Sequence, residues 1–228
     1  KCGNSMKFGD ISEHVRNIVA NRGGLRKHVD NVWANRTSQN RKNHIKMRMQ
    51  KIKDLNEIQF QINELIQNSN NIFSKVLEKF KKDKSIFLLG KGQNEAIAKE
   101  GSLKIKEVSY IHAEGYSASA LKHGPFALIE KDLPIIIFDT DENNREKINN
   151  AIHETMSRNA CVFVISNNEN YKYNEIIPKD NILFIENNYS YHGLIANIMI
   201  QLLSYELALK FEINPDYPRN LAKVVTVE

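Results

Sequence analysis

The sequence has little cysteine and no long apolar run. Its two cysteines, Cys2 and Cys161, lie far apart in the chain and form neither a disulfide framework nor a metal site. No stretch approaches the ~18 uninterrupted apolar residues that a membrane-spanning helix requires. Polar sequence follows Lys1, so no secretory signal is visible. The sequence also shows no internal repeat. We therefore expect a cytoplasmic protein with reduced thiols that does not enter a membrane.

Charge is distributed unevenly along the 228 residues. Residues 1–55 hold 13 Lys and Arg against 4 Asp and Glu, whereas residues 56–228 hold 19 against 23. A basic segment of this kind can contact nucleic acid or another anion. We favour a solvated linker or a docking face, because no aromatic interleaving or known motif accompanies the charge, and nucleic-acid binding stays a minor alternative.

The hydrophobic pattern before residue 85 is helical. Apolar residues recur at helical spacing, and Gly23-Gly24 interrupts them. They predict short helices near 11–19 and 25–33, an amphipathic helix over about 45–66 and a further helix around 72–80. Residues 35–43 are polar throughout and are interpreted as a linker.

After residue 85, short apolar runs alternate with helical segments. The runs predict buried strands at residues 86–89, 133–138, 161–165 and 181–185. The helical segments are residues 94–111, 118–121, 143–159 and 189–210. Such alternation indicates right-handed βαβ crossovers. The predicted fold class is α/β, a doubly wound parallel sheet flanked by helices, with an N-terminal helical extension. Beyond Phe211 two prolines prevent helix, and the chain forms a tail.

Two predicted strands end in sequences that bear on ligand binding, because ligands of parallel sheets bind beyond the carboxyl ends of the strands. Gly90-Lys91-Gly92-Gln93 could cradle a phosphate at a helix N-terminus, but a plain tight turn is the favoured reading. Asp139-Thr140-Asp141-Glu142 follows another strand, and its three carboxylates would repel a phosphate.

Three charged residues share one face of the helix that follows the first strand. At 100° per residue, Glu100, Lys104 and Glu107 fall within about 60° of one another. Two carboxylates with a cation between them can hold and orient a general base. The alternative is an ordinary solvent-facing Glu–Lys pair, and spacing alone favours it.

His123 and Lys223 are two further candidates of weaker standing. His123 precedes a Gly-Pro turn that could present its imidazole at a loop or interface, and histidine titrates near neutral pH. Lys223 could act as a nucleophilic amine if it were buried against a carbonyl substrate. Solvated side chains are the simpler explanation for both.

Three separated motifs carry a family resemblance. They are residues 100–114 (EGSLKIKEVSYIHAE), residues 121–125 (LKHGP) and residues 218–228, which begin PRNLAK and end TVE. Together they resemble the C-terminal part of the glucosamine-6-phosphate synthase family (glutamine–fructose-6-phosphate aminotransferases, isomerising). The resemblance covers about 45–228.

The resemblance implies a division of the chain into four parts. The family's linker helices correspond to residues 44–84, its second SIS domain to residues 85–210, and its catalytic tail to residues 211–228. Residues 1–43 form a basic N-terminal segment that resembles nothing in the family and stays unassigned.

The same resemblance implies roles for the three strongest candidates. Glu107 matches the base that moves a proton between C1 and C2 during ketose–aldose isomerisation. His123 matches a residue that assists ring opening in the neighbouring subunit's site. Lys223 matches the tail lysine that forms a Schiff base with open-chain fructose 6-phosphate.

The remaining site positions are also implied only by the resemblance. Glu100 and Lys104 match accompanying charged residues, and Ala222 matches a position whose backbone contacts the sugar. No metal or organic cofactor is expected, because the iminium itself is the electron sink. The expected ligands are fructose 6-phosphate and glucosamine 6-phosphate, and the expected assembly is a homodimer.

The sequence departs from the family in two places. No N-terminal glutaminase sequence follows Cys2, and nothing matches the Ser/Thr-rich phosphate-binding loop of the family's first SIS domain, since Thr37-Ser38-Gln39 is too short. We therefore expect an isomerase half-site within a longer protein or complex, which supplies the glutaminase and first SIS domains. The alternative is a non-catalytic lone SIS domain that binds a sugar phosphate or pairs with a full-length synthase as a regulatory module.

Overall fold

The computed structural model describes residues 23–168, 175–186 and 191–220. The helix predicted near 11–19, together with Ala222 and Lys223, lies outside these residues. The chain divides into two compact units, residues 1–53 and residues 54–228. The sheet and the candidate site belong to the second unit.

The N-terminal helical region is one element rather than several. Helix α1 spans Gly23–Leu77, so the predicted linker over 35–43 and the division into separate helices were wrong. No proline interrupts this span, and tertiary contacts outweigh the weak helix propensity of its Asn-rich stretch. Ser69 within that stretch donates a hydrogen bond to Glu206 Oε1 at 2.6 Å, and Phe73 is fully buried one turn later.

A five-stranded parallel sheet forms the centre of the second unit and confirms the predicted fold class. Its strands are β1 (Ile86–Gly90), β2 (Ala113–Ser117), β3 (Pro134–Asp139), β4 (Cys161–Ser166) and β5 (Ile182–Phe184). They lie in the order β2-β1-β3-β4-β5. Four strands were predicted. The fifth, β2, has no apolar run because it is an edge strand with one fully buried residue, Ala113.

Helices cover both faces of the sheet. Helix α2 spans Gln93–Ser109, α3 spans Arg145–Met156 and α4 spans His192–Lys210. Leu88 on β1 packs into a core cluster with residues of α1, α2 and α4. Leu89, the next residue, packs into a second cluster with α3 and with Leu121 from the 3-10 helix Ala118–His123. Successive strand residues point to opposite faces, so α2 and that 3-10 helix lie on opposite sides of the sheet.

Helix α4 is a core helix. Within the described residues it is the one helix long and apolar enough to cross a membrane, but half of that segment is buried inside the protein. Ile195, Met199, Leu203 and Leu207 all lie in the core cluster that α4 shares with α1 and α2. Burial against the sheet accounts for its apolar character.

Candidate active site

Helix α2 approaches its neighbours closely at two glycines, its own Gly101 and Gly115 of β2. A Cβ on Gly101 would lie 2.8 Å from Ile200 Cγ1 of α4, and a Cβ on Gly115 of β2 would lie 2.6 Å from the backbone of Ala98. Side chains at these positions would push α2 away from α4 and from the sheet edge. The glycines therefore fix where the charged face of α2 lies.

The charged residues predicted from helical spacing do lie together on α2. Lys104 Nζ is 2.9 Å from Glu107 Oε2 and 3.5 Å from Glu100 Oε1. The side chains of Lys104 and Glu107 are 32% and 29% exposed. The group is therefore half-buried, which separates it from a fully solvated surface pair.

The ammonium of Lys104 is held in its charged form. Its hydrogen bond to Glu107 raises the pKa of Lys104 above the ordinary 10.5, and the charge of Glu100 acts in the same direction against the opposing effect of burial. A cation that stays protonated through the neutral range holds both carboxylates in place by its contacts with them.

The tail returns to the C-terminal end of this helix. Tyr110, the C-cap residue of α2, adopts a left-handed conformation with φ 57°. The backbone N–H of Arg219 donates a hydrogen bond to Tyr110 Oη at 2.8 Å, and the Arg219 guanidinium lies 4.2 Å from the centre of the Tyr110 ring. Sequence reasoning did not select Tyr110 or Arg219, although both lie inside the quoted motifs.

These contacts border an open cleft of ≈ 490 Å³, which we call the tail cleft. Its lining residues are Leu103, Lys106, Glu107, Tyr110, Ile111, His112, Arg219 and Asn220. The candidate base and the last described residue of the tail therefore line the same cleft. Lys223 and Ala222 follow shortly after Asn220 and lie outside the described residues.

His123 does not join this cleft within one chain. It ends the 3-10 helix Ala118–His123 and is exposed. Leu121 of that helix packs into the core cluster on the face opposite α2, and Lys122 pairs with Glu154 of α3 at 2.8 Å. The sheet therefore separates His123 from Glu107.

The turn after β1 is held by side-chain hydrogen bonds. Buried Asn94 donates to the backbone carbonyl of Phe138 at 3.2 Å and accepts from Thr140 Oγ1 at 2.6 Å. Asp141 Oδ2 lies 2.9 Å from the place where a Cβ on Gly92 would stand. A carboxylate at this position opposes a phosphate, so the favoured reading of this sequence as a tight turn agrees with the geometry.

The acidic end of β3 is partly neutralised within the protein. Buried Asp139 pairs with Arg145 Nε at 3.2 Å, and Asp141 accepts a hydrogen bond from Asn144 at 2.7 Å. Within the ranges that the structure describes, no group of three or more His, Cys, Asp or Glu side chains is placed to hold a metal ion.

The fold and the site together define a class of protein. The pattern of the SIS domain family matches residues 79–210, which is more than half of the chain. The chain therefore belongs to the SIS domain family.

Two curated relatives confirm the family resemblance that the three motifs carry. The chain is 47% identical over 174 residues to the probable glutamine–fructose-6-phosphate aminotransferase (isomerising) of Acanthamoeba polyphaga mimivirus, covering 76% of this chain and 28% of that protein. It is 42% identical over 163 residues to the corresponding aminotransferase of Chlorobaculum tepidum, covering 72% and 26%. The chain thus spans about a quarter of the length of these curated relatives.

A solved structure agrees with these sequence comparisons. The C-terminal domain of glucosamine-fructose-6-phosphate aminotransferase from Francisella tularensis superposes with a TM-score of 0.61 at 30% identity. The match covers 73% of this chain and 46% of that one.

Proposed function

We propose that this chain contributes the isomerase half-site of a glutamine–fructose-6-phosphate aminotransferase, as part of a longer protein or complex. The half-site would make glucosamine 6-phosphate from fructose 6-phosphate. The single observation that carries the proposal is the tail cleft, where Glu107 and Asn220 line the same space.

Glu107 has the surroundings that a proton-transfer base requires. Lys104 bonds to one of its carboxylate oxygens at 2.9 Å, and Glu107 also lines the cleft. An oriented, half-buried carboxylate that faces a substrate-sized space can take a proton from C1 of a ketose and return it to C2. Glu100 supports it indirectly, by its own contact with Lys104.

The length of the tail is compatible with an amine in the cleft. Lys223 follows Asn220 by three residues, and three extended residues span at most roughly 11 Å. Chain length therefore allows the Lys223 amine to reach the tail cleft. The amine would attack C2 of the open-chain ketose, and water would leave to form the iminium.

The remaining steps balance with ammonia as the nitrogen source. Ammonia replaces the lysine amine on C2, and Glu107 moves a proton from C1 to C2. The products are an aldehyde at C1, an amine at C2 and the free lysine. His123 would assist ring opening from a second copy of the chain, since the sheet separates it from Glu107 of its own copy.

The test combines turnover with trapping of the Lys223 imine. Purified chain is incubated with fructose 6-phosphate, with and without ammonia, and glucose 6-phosphate and glucosamine 6-phosphate are measured. Borohydride reduction followed by mass spectrometry detects sugar attached to Lys223. We expect Glu107→Gln to lower turnover at least about 100-fold, as loss of a general base does, and to leave trapping largely intact.

Glu95→Gln is the matched control. Glu95 lies on the same helix, is 32% exposed and pairs with Lys99 at 2.8 Å, so the change removes an equivalent ion pair remote from the tail cleft. Equal losses in the two variants would contradict a catalytic role for Glu107. Absence of both turnover and trapping at any concentration of the chain would reject stand-alone catalysis. Co-purification with a longer synthase would then favour the non-catalytic module.

A further inference from the structure

Tyr110 occupies a helix C-cap position whose conformation does not favour a tyrosine. It ends α2 with φ 57° and ψ 18°, a left-handed conformation that glycine or asparagine adopts most readily. Tyr110 is also partly exposed, so the core does not require its ring. The tyrosine is explained by its contacts with the tail.

Arg219 meets that tyrosine through two separate groups. Its backbone N–H bonds to the phenolic oxygen at 2.8 Å, whereas its guanidinium lies over the ring at 4.2 Å. The two contacts join residues that are 109 positions apart in the chain. A planar guanidinium suits such stacking better than an ammonium does.

The described part of the tail beyond residue 213 has few other polar anchors. For residues 214–220, the described hydrogen bonds and ring contacts that reach another element are those of Arg219 with Tyr110. Asp216 N–H bonds within the tail to Asn214. Pro215 and Pro218 fix their own φ angles, which stiffens the approach to Arg219 without attaching it to the body.

We propose that Tyr110 and Arg219 form a clasp that positions the C-terminal tail so that Lys223 can form its imine in the tail cleft. This inference rests on the function proposed above. Tyr110 follows Glu107 by one turn of helix. The clasp therefore fixes the position of the tail, which carries the nucleophile Lys223, relative to the base Glu107 on α2. Both are positioning residues, because each acts through Lys223.

Loss of the clasp should affect how often the Lys223 amine lies in a position to react. Loosening the tail lowers the effective concentration of Lys223 at the sugar carbonyl. The proposal gives neither clasp residue a role in binding the sugar phosphate. We therefore expect kcat and the rate of imine trapping to fall together, whereas KM for fructose 6-phosphate changes less than about twofold.

The experiment separates the two contacts. Tyr110→Phe removes the hydroxyl and keeps the ring, and Arg219→Ala removes the guanidinium and keeps the backbone N–H. We expect trapping at Lys223 to slow about three- to tenfold in Tyr110→Phe, the factor of one hydrogen bond, and about two- to fivefold in Arg219→Ala. The two residues are in contact, so their effects are coupled, and we expect the double variant to slow trapping at least as much as the slower single variant.

Amide hydrogen exchange at Arg219 gives a readout that does not depend on activity. We expect exchange at this amide to quicken about three- to tenfold in Tyr110→Phe, because its acceptor is gone. Tyr217→Phe is the matched control, since Tyr217 is 82% exposed on the same tail. It should leave both exchange and trapping at the wild-type rates.

The outcomes distinguish this proposal from the function on which it rests. Unchanged exchange in Tyr110→Phe overturns the clasp. Faster exchange with unchanged trapping overturns its positioning role. If the wild-type chain traps no sugar in its active assembly, the proposed function fails, and exchange at Arg219 alone then decides whether the clasp exists.

Discussion

Lys104 lies between two carboxylates on α2, and its protonation links the site to stability. The hydrogen bond to Glu107 raises the pKa of Lys104 above 10.5. A group whose pKa is raised on folding contributes stability that is fully present below its unfolded pKa and is lost as pH rises through the folded value. The contribution is below about 1 kcal/mol, because the pair is partly solvated.

The pH dependence of this contribution can be measured with Lys104→Met. We expect the difference in Tm between wild type and variant to stay constant from about pH 7 to pH 10 and to shrink above about pH 10.5. Thermal unfolding across that range checks it. Lys147→Met, at an exposed position of α3, should show no such change. A difference that shrinks already near pH 8 would contradict a raised pKa.

Some contacts between individual residues could be predicted from the sequence. Glu100, Lys104 and Glu107 lie together because neighbours at i, i+3 and i+4 share a helix face wherever the helix packs. The Tyr110–Arg219 contact was not accessible, because it depends on how a tail and a helix end meet after folding. Helical periodicity carries no information on such a pair.

Helix α2 is the element on which the site depends, and its position depends on Gly101. A Cβ there would lie 2.8 Å from Ile200 Cγ1 and 3.0 Å from Leu88 Cδ2. Both neighbours are buried branched side chains with little room to move. Displacement of α2 from α4 is the expected response.

Gly101→Ala should therefore destabilise the protein by about 1–3 kcal/mol, as overpacking of a core does. Chemical denaturation measures this change. Gly193→Ala is the matched control, since its Cβ would lie an ordinary 3.5 Å from Ile97 Cδ1, and we expect it to be tolerated. Equal stability of the two variants would show that α2 does not depend on the close approach at Gly101.

Elements were predicted well where the signal was local. Buried strands such as β3 and β4 consist almost wholly of apolar residues and were predicted close to their observed bounds. Strand β2 was missed, because an edge strand with one buried residue has no such signal. Helix α1 was divided wrongly, because polar residues without proline were taken for a linker.

At the scale of the whole molecule, the proposed site needs a second copy of the chain to supply His123. It lies on the face of the sheet opposite α2, so one chain does not bring it to Glu107. In a two-fold symmetric dimer, His123 of each copy could complete the site of the other. Each site would then combine residues of two chains.

Mixing two inactive variants tests this arrangement. The two variants, Glu107→Gln and His123→Asn, are made in a form of the protein that turns over fructose 6-phosphate. We expect each variant alone to have lower turnover than the wild type. Unfolding and reassembling them as an equal mixture should restore about a quarter of wild-type activity, because half of the dimers are mixed and each has one intact site. Recovery no greater than the average of the two variants would place His123 outside the partner's site.

The sequence by itself determined the α/β class, most strands and the charged face of α2. These features follow from side-chain alternation and helical periodicity, which depend on residues a few positions apart. Only the tertiary structure decided that β2 completes the sheet edge, that Arg219 contacts Tyr110, and that His123 and Glu107 lie on opposite faces of the sheet. Such contacts join distant parts of the chain, and their geometry arises from packing of whole elements.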